Sequence, residues 1–222
     1  MVRSRKAQIA IPTILSLMVL ILSFSGCGGN WRTRIRQEYR KAMEKKKKAL
    51  AVKPRLGARK AYIVARKELK AKGKSDYQLY YLTSGPDINR KTGSSAYWEY
   101  RFRSKDRKKV FEVVVEGGKV ALSKESSIKK TRKGKPKKPA EPIPDNWLDS
   151  SQAIEIAEAN FGKLQKGKSV TEKAFWMELI GNGVNSYWQV QYGTTYLGKD
   201  MKAVRVHSVT GKLLGIKKGL RL

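Results

Sequence analysis

The 222-residue sequence predicts an α+β fold: two small repeats, each one helix packed on an antiparallel sheet, after an N-terminal signal segment and a basic helical stalk. Three observations lead there. Two stretches roughly 90 residues apart carry the same succession of small and large apolar residues, and a fixed period of self-similarity marks a repeated supersecondary unit. In both stretches a helical spacing of apolar residues gives way to strand-like alternation. Between them lies a charged, proline-bearing segment that supports neither pattern.

The chain opens with Arg3, Arg5 and Lys6, followed by an apolar run from Ile9 to Phe24. A positive leader ahead of a short apolar run reads as a secretory signal. The run is shorter than the roughly 20 residues a spanning helix requires. Residues 1–26 are therefore expected to be removed, leaving Cys27 as the new N-terminus. The segment Leu22-Ser23-Phe24-Ser25-Gly26-Cys27 resembles the lipobox of bacterial lipoproteins, with Phe24 where Leu is usual. That resemblance implies acylation of Cys27 and an exported protein tethered to a membrane, facing the periplasm or the cell surface. Gly28 stands where an inner-membrane retention Asp is found in some bacteria, which implies the outer membrane where one exists. Two or more acyl chains make such an anchor stable.

Residues 27–56 form the stalk. Trp31, Ile35, Tyr39, Met43 and Leu50 recur at near-helical spacing while basic residues fill the other faces, and Pro54 and Gly57 end the pattern. Two uses of this amphipathic helix fit equally: it lies along an anionic membrane, or its apolar stripe docks on the following repeat. Candidate contacts to an anionic surface are Arg32, Arg36, Arg40, Lys45, Lys46, Lys47 and Lys48.

The first repeat spans residues 57–128. Ala61, Tyr62, Ala65 and Leu69 define a helix closing at Gly73; strands are expected over Tyr77 to Leu82 and Ser95 to Phe102, then a hairpin of Val110 to Val115 and Lys119 to Leu122 about Gly117-Gly118. Residues 129–146 form a basic linker, with Lys133, Lys135, Lys137 and Lys138 as further candidate anion contacts. The second repeat, residues 147–222, has its helix over Ala153 to Phe161, with Asp149, Ser150 or Ser151 as cap. Its strands fall at Ala174 to Ile180, Asn185 to Tyr192, Ala203 to Val206 and Lys212 to Ile216, and the Tyr97-Trp98 pair recurs in register as Tyr187-Trp188.

The second repeat resembles the PepSY family through Ala153 to Ala157, Trp188-Gln189-Val190, and Val206-His207-Ser208-Val209-Thr210-Gly211-Lys212-Leu213, where His207 and Ser208 replace the usual Asp and Ala. The first repeat matches in outline. PepSY domains occur in propeptides of thermolysin-like metalloproteases and in exported lipoproteins. The resemblance therefore implies a binding or inhibitory module, with regulation of a protease as one outlet, and not an enzyme.

Charge is very uneven. The chain carries 49 Lys and Arg against 18 Asp and Glu; residues 27–139 hold 35 and 10 of these, a net +25, and residues 140–222 hold 11 and 8, a net +3. The partners expected are a membrane reached through the lipid anchor, an anionic lipid or envelope polymer, and a protein of unknown identity. Nucleic acid is disfavoured, because export separates the protein from its main pool, although a basic surface with Tyr77, Tyr80, Tyr81, Tyr97, Trp98 and Tyr100 suits base stacking.

No catalytic residue, metal site or cofactor is expected. One Cys and one His exclude an internal disulfide and a closed structural zinc site. His207 has no Cys nucleophile near it in sequence, Glu155 and Glu158 have the spacing of a solvated helix face, and Gly181-Asn182-Gly183 reads as a turn.

Overall fold

The computed structural model describes residues 31–128, 141–161, 174–193 and 202–218, and side chains in these ranges apart from residues 31–36, 174 and 218. Residues 1–26, Cys27 and the linker lysines lie outside the described residues. The chain divides into two compact units, Met1–Arg36 and Gln37–Leu222; of the first, the described part is the opening of helix α1 (Trp31–Ala51). Among the described residues no helix is long and apolar enough to cross a membrane.

Each half of the second unit is one helix followed by four strands. The first half contains α2 (Ala58–Ala71), β1 (Gln78–Ser84), β2 (Tyr97–Arg103), β3 (Lys109–Glu116) and β4 (Lys119–Ser127). The second contains α3 (Ser150–Phe161), β5 (Ala174–Ile180), β6 (Tyr187–Gly193), β7 (Lys202–His207) and β8 (Leu213–Lys218). The eight strands form one antiparallel sheet in the order β4-β3-β2-β1-β5-β6-β7-β8. The halves are therefore not separate modules: the first strand of each pairs with the first strand of the other, Tyr81 with Ile180, Leu82 with Leu179 and Thr83 with Glu178.

Alternation along the strands assigns the two faces. In β2, Trp98, Tyr100 and Phe102 enter the core with Phe111, Val113 and Val115 of β3, while Tyr97, Glu99 and Arg101 point to the other side. The same core takes Ala61, Ala65 and Leu69 of α2 and Ala153, Ala157 and Phe161 of α3, so both helices cover one face of the sheet. Small alanines let the helices approach the aromatics, and each fully buried Leu, Met or Phe contributes roughly 1.5–3 kcal/mol. The Trp98 and Trp188 indoles donate to the carbonyls of Leu56 and Leu148, at 2.8 and 2.9 Å, each two residues before its helix. One joint is thus built twice.

The halves also grip each other outside the sheet. Trp147, 2% exposed, lies against Tyr62 of α2 and Trp188 of β6, with ring centroids 5.7 and 5.9 Å away. The Arg59 guanidinium covers its ring at 4.3 Å and bonds its carbonyl. The long β1–β2 loop reaches the start of α3, where Gly93 adopts φ +66 and a Cβ would stand 2.6 Å from the Ser151 nitrogen. Arg90 from that loop pairs with both oxygens of Glu158 at 2.6 and 2.7 Å. Gly181 is equally confined: a Cβ there would meet the carbonyl oxygens of Glu141 and Tyr80, where three segments converge. Only glycine fits such backbone approaches.

Candidate functional site

The face of the sheet opposite α2 and α3 carries polar and aromatic side chains in a row across five strands. Register places Glu99 beside Thr83, Thr83 beside Glu178, Glu178 beside Gln189 and Gln189 beside Arg205. The side chains follow that order. Tyr97 and Arg101 both donate to Glu99, Arg101 at 2.7 Å, and the Arg101 guanidinium stands 5.2 Å from the Tyr81 ring. Tyr81 donates to Glu178 Oε1 at 3.1 Å, Gln189 to Glu178 Oε2 at 3.5 Å, and Arg205 to Gln189 Oε1 at 2.8 and 3.0 Å. Arg205 also covers the Tyr187 ring at 4.7 Å.

These groups are shielded enough for their proton affinities to move. Burial raises the Glu178 carboxyl, with Tyr81 and Arg101 opposing the shift. Glu112 is raised by burial and then by the neighbouring Glu99. The Tyr81 and Tyr97 phenols are driven well above the usual tyrosine range, chiefly by burial. The row offers Tyr and Arg side chains pre-positioned by hydrogen bonds, residue types enriched where proteins bind proteins. Among the described residues, no three His, Cys, Asp or Glu side chains come together as a metal site would require.

The end of α1 docks on this same face. Leu50, 2% exposed, packs with Ala96, Tyr97, Val114 and Leu122. Lys46 places its ammonium 3.6 Å over the Tyr97 ring; burial lowers its proton affinity, with Glu116, Glu99 and Asp87 opposing. Lys53 pairs with Glu116. The docking alternative for the stalk therefore holds over its last turns. Of the candidate anion contacts, Arg40, Lys45, Lys47 and Lys48 are exposed on α1, and Lys46 is turned toward the sheet. Arg32 and Arg36 lie on the α1 backbone without described side chains. Cys27, Lys133, Lys135, Lys137 and Lys138 are outside the described residues.

His207 has a local task. Its Nδ1 accepts from the Val209 and Thr210 backbone N–H groups, both at 3.2 Å, and Nε2 lies 2.9 Å from the Val184 carbonyl. Nδ1 accepts two bonds, so the proton resides on Nε2, and the ring ties the β7–β8 turn to the β5–β6 turn. Glu158, read from sequence as solvated, receives Arg90 and the Tyr192 hydroxyl.

The row across the sheet was not visible in sequence. Alternation of Tyr97, Glu99 and Arg101 marks an outward face, but nothing local brings β1 beside β5. Between α2, the β2–β3 turn and the segment ahead of α3 there is also a groove of about 580 Å³, lined by Tyr62, Arg66, Asp76, Lys105, Asp145 and Val184 among others.

No family model matches the sequence, and no curated protein matches it. A solved structure from Clostridium difficile 630, described only provisionally as a lipoprotein, is similar at 15% identity with a TM-score of 0.45, over 70% of this chain and 91% of that one.

Proposed function

We propose that this protein is exported, anchored to a membrane through Cys27, and acts without catalysis as a binding module of the cell envelope, its two PepSY-like halves offering the polar sheet face to a protein partner. An envelope protease is the kind of partner the PepSY resemblance suggests. The single observation that carries the binding role is the row of mutually held side chains from Arg101 and Tyr81 through Glu178 and Gln189 to Arg205, beyond the Tyr97 end that α1 covers. It holds Tyr and Arg side chains in fixed positions, so little conformational entropy is lost when a partner covers them. The anchor rests on the leader, the apolar run and the lipobox-like segment ending at Cys27.

A second reading is favoured by the net +25 of residues 27–139: a basic adaptor that holds anionic lipid or an envelope polyanion, with extracellular nucleic acid the least favoured of these. Salt separates the two readings, because exposed charges farther apart than about 8–10 Å are screened at ordinary ionic strength.

The test begins with the intact mass of the protein from membranes, wild type against Cys27→Ser. Loss of residues 1–26 together with a Cys27-dependent acyl mass supports the anchor; an uncleaved, unacylated chain removes it. A photo-crosslinker at Tyr80 or Arg103, on the sheet face, should then capture one defined envelope protein whose retention survives high salt. Retention only on anionic material, and lost in salt, favours the adaptor.

A further inference from the structure

We propose that the outward ridge of α2 is a bilayer-contact surface that lies against an anionic lipid leaflet; the inference rests on the lipid-anchored reading above and names where the protein meets the membrane. The starting point is the comparison of two helices that do the same structural work. In α2 and α3 the inward positions match, Ala61 with Ala153, Ala65 with Ala157 and Leu69 with Phe161, all buried in one core. The outward positions do not match. Lys60, Ile63, Arg66 and Lys67 of α2 correspond to Gln152, Glu155, Glu158 and Ala159 of α3.

Arg66 has a structural task, donating to the Tyr77 and Ser75 carbonyls, but the same seat on the sheet accepts an acidic helix face, and no side-chain hydrogen bond or ion pair among the described residues calls for Lys60, Lys67 or Lys70. The basic ridge even weakens its own helix, since like charges three or four residues apart repel. Among the described residues, Lys60, Lys67 and Lys70 have no ion pair, whereas the carboxylates of the polar sheet face are largely matched by Arg and Lys. An uncompensated row of lysines on one helix faces an anionic partner by charge complementarity.

The apolar residues decide between a bilayer and a soluble polyanion. Ile63 is 56% exposed between Lys60 and Lys67. Val184, 77% exposed, borders the adjoining groove that also takes Tyr62 and Arg66. Lys105 lies on the same groove. A polyanion gains nothing from bare aliphatic side chains. A lipid interface gains from both parts, the lysines near phosphate and the aliphatics at the acyl boundary.

The test uses the full chain purified from membranes with Ile63→Cys, the only free thiol once Cys27 is acylated, carrying an environment-sensitive dye. On vesicles containing phosphatidylglycerol, the emission should shift to the blue and be quenched by brominated acyl chains. On pure phosphatidylcholine vesicles it should do neither. Lys60→Gln, Lys67→Gln and Lys70→Gln should each lower the membrane-facing fraction about fivefold, the effect of one charge near an anionic leaflet. A dye at Glu155→Cys on α3 should stay aqueous throughout, and unchanged circular-dichroism melts should show the variants folded. A dye at position 63 that stays aqueous on phosphatidylglycerol, or that responds as strongly to soluble polyphosphate or duplex DNA, overturns the proposal. Intact mass of the same sample reads the anchor separately: an unacylated Cys27 refutes the tether, and the dye on the Cys27→Ser chain still decides the ridge.

Discussion

Asp149 serves two helices at once. Its Oδ1 accepts the Ser150 N–H of α3 at 2.7 Å and the Arg59 N–H of α2 at 3.0 Å, while its own N–H is taken by Gln152 Oε1. Gly57 precedes α2 and has no side chain to cap it, so the cap comes from the other half of the chain. Asp149→Ala should therefore cost about 1–3 kcal/mol, more than an ordinary cap, because two backbone donors lose their acceptor; urea unfolding of the variant measures it, and Asp149→Asn should recover most of the loss. The tyrosines set the alkaline limit. Burial and then the hydrogen bond to Glu125 push the Tyr77 phenol up to about 12, and Tyr100 is raised well above the ordinary value. In the unfolded chain these groups ionise near 10, so above that pH the unfolded state binds fewer protons and is favoured. The contribution of Tyr77 to stability should be level below pH 10 and be lost between about 10 and 12. Tyrosinate absorbance should rise together with loss of circular dichroism; phenols that titrate freely near pH 10 in the folded protein would contradict this.

At the scale of elements, the three helices have different jobs. Leu50 is the nail that holds the end of α1 on the outer sheet face. Leu50→Ala should remove about 2–3 kcal/mol from that docking, as a buried leucine cut to alanine does. Amide exchange should accelerate along Lys46 to Ala51 and leave β2 and β6 protected; uniform acceleration everywhere would mean that α1 is integral to the main core. The helices α2 and α3 are alike inside and unlike outside, so inner residues report the fold and outer residues report the surroundings. The edge strands are blunted differently: β4 carries Lys119 and Lys124, and β8 ends in basic residues after exposed Leu213 and Leu214. Charges on an edge discourage pairing with another chain.

For the whole molecule, the decisive contact is β1 against β5. Together with Trp147, the Asp149 cap and the Arg90–Glu158 pair, it makes one cooperative body of two halves. Heating should give a single transition in which calorimetric and van't Hoff enthalpies agree. Two separable transitions would show that the halves fold alone. Removing the first half would bare the β5 edge that β1 pairs, so residues 147–222 in isolation should fold poorly.

What the sequence determined by itself was local: the apolar leader, the helix and strand periods, the two-fold repetition, the Tyr-Trp pairs and the imbalance of charge all follow from residues close together in the chain. Hairpins such as β3–β4 were legible for the same reason, because their turn, Gly117-Gly118, has positive φ at both residues. Tertiary structure decided how the two halves meet. The β1–β5 pairing, the Tyr81–Glu178 bond at the centre of the polar row and the cap lent by Asp149 join residues 90 to 99 positions apart. Backbone pairing between strands follows edge geometry and the cover offered by the helices, and side-chain periodicity within one strand says which face it buries but not which neighbour it will take.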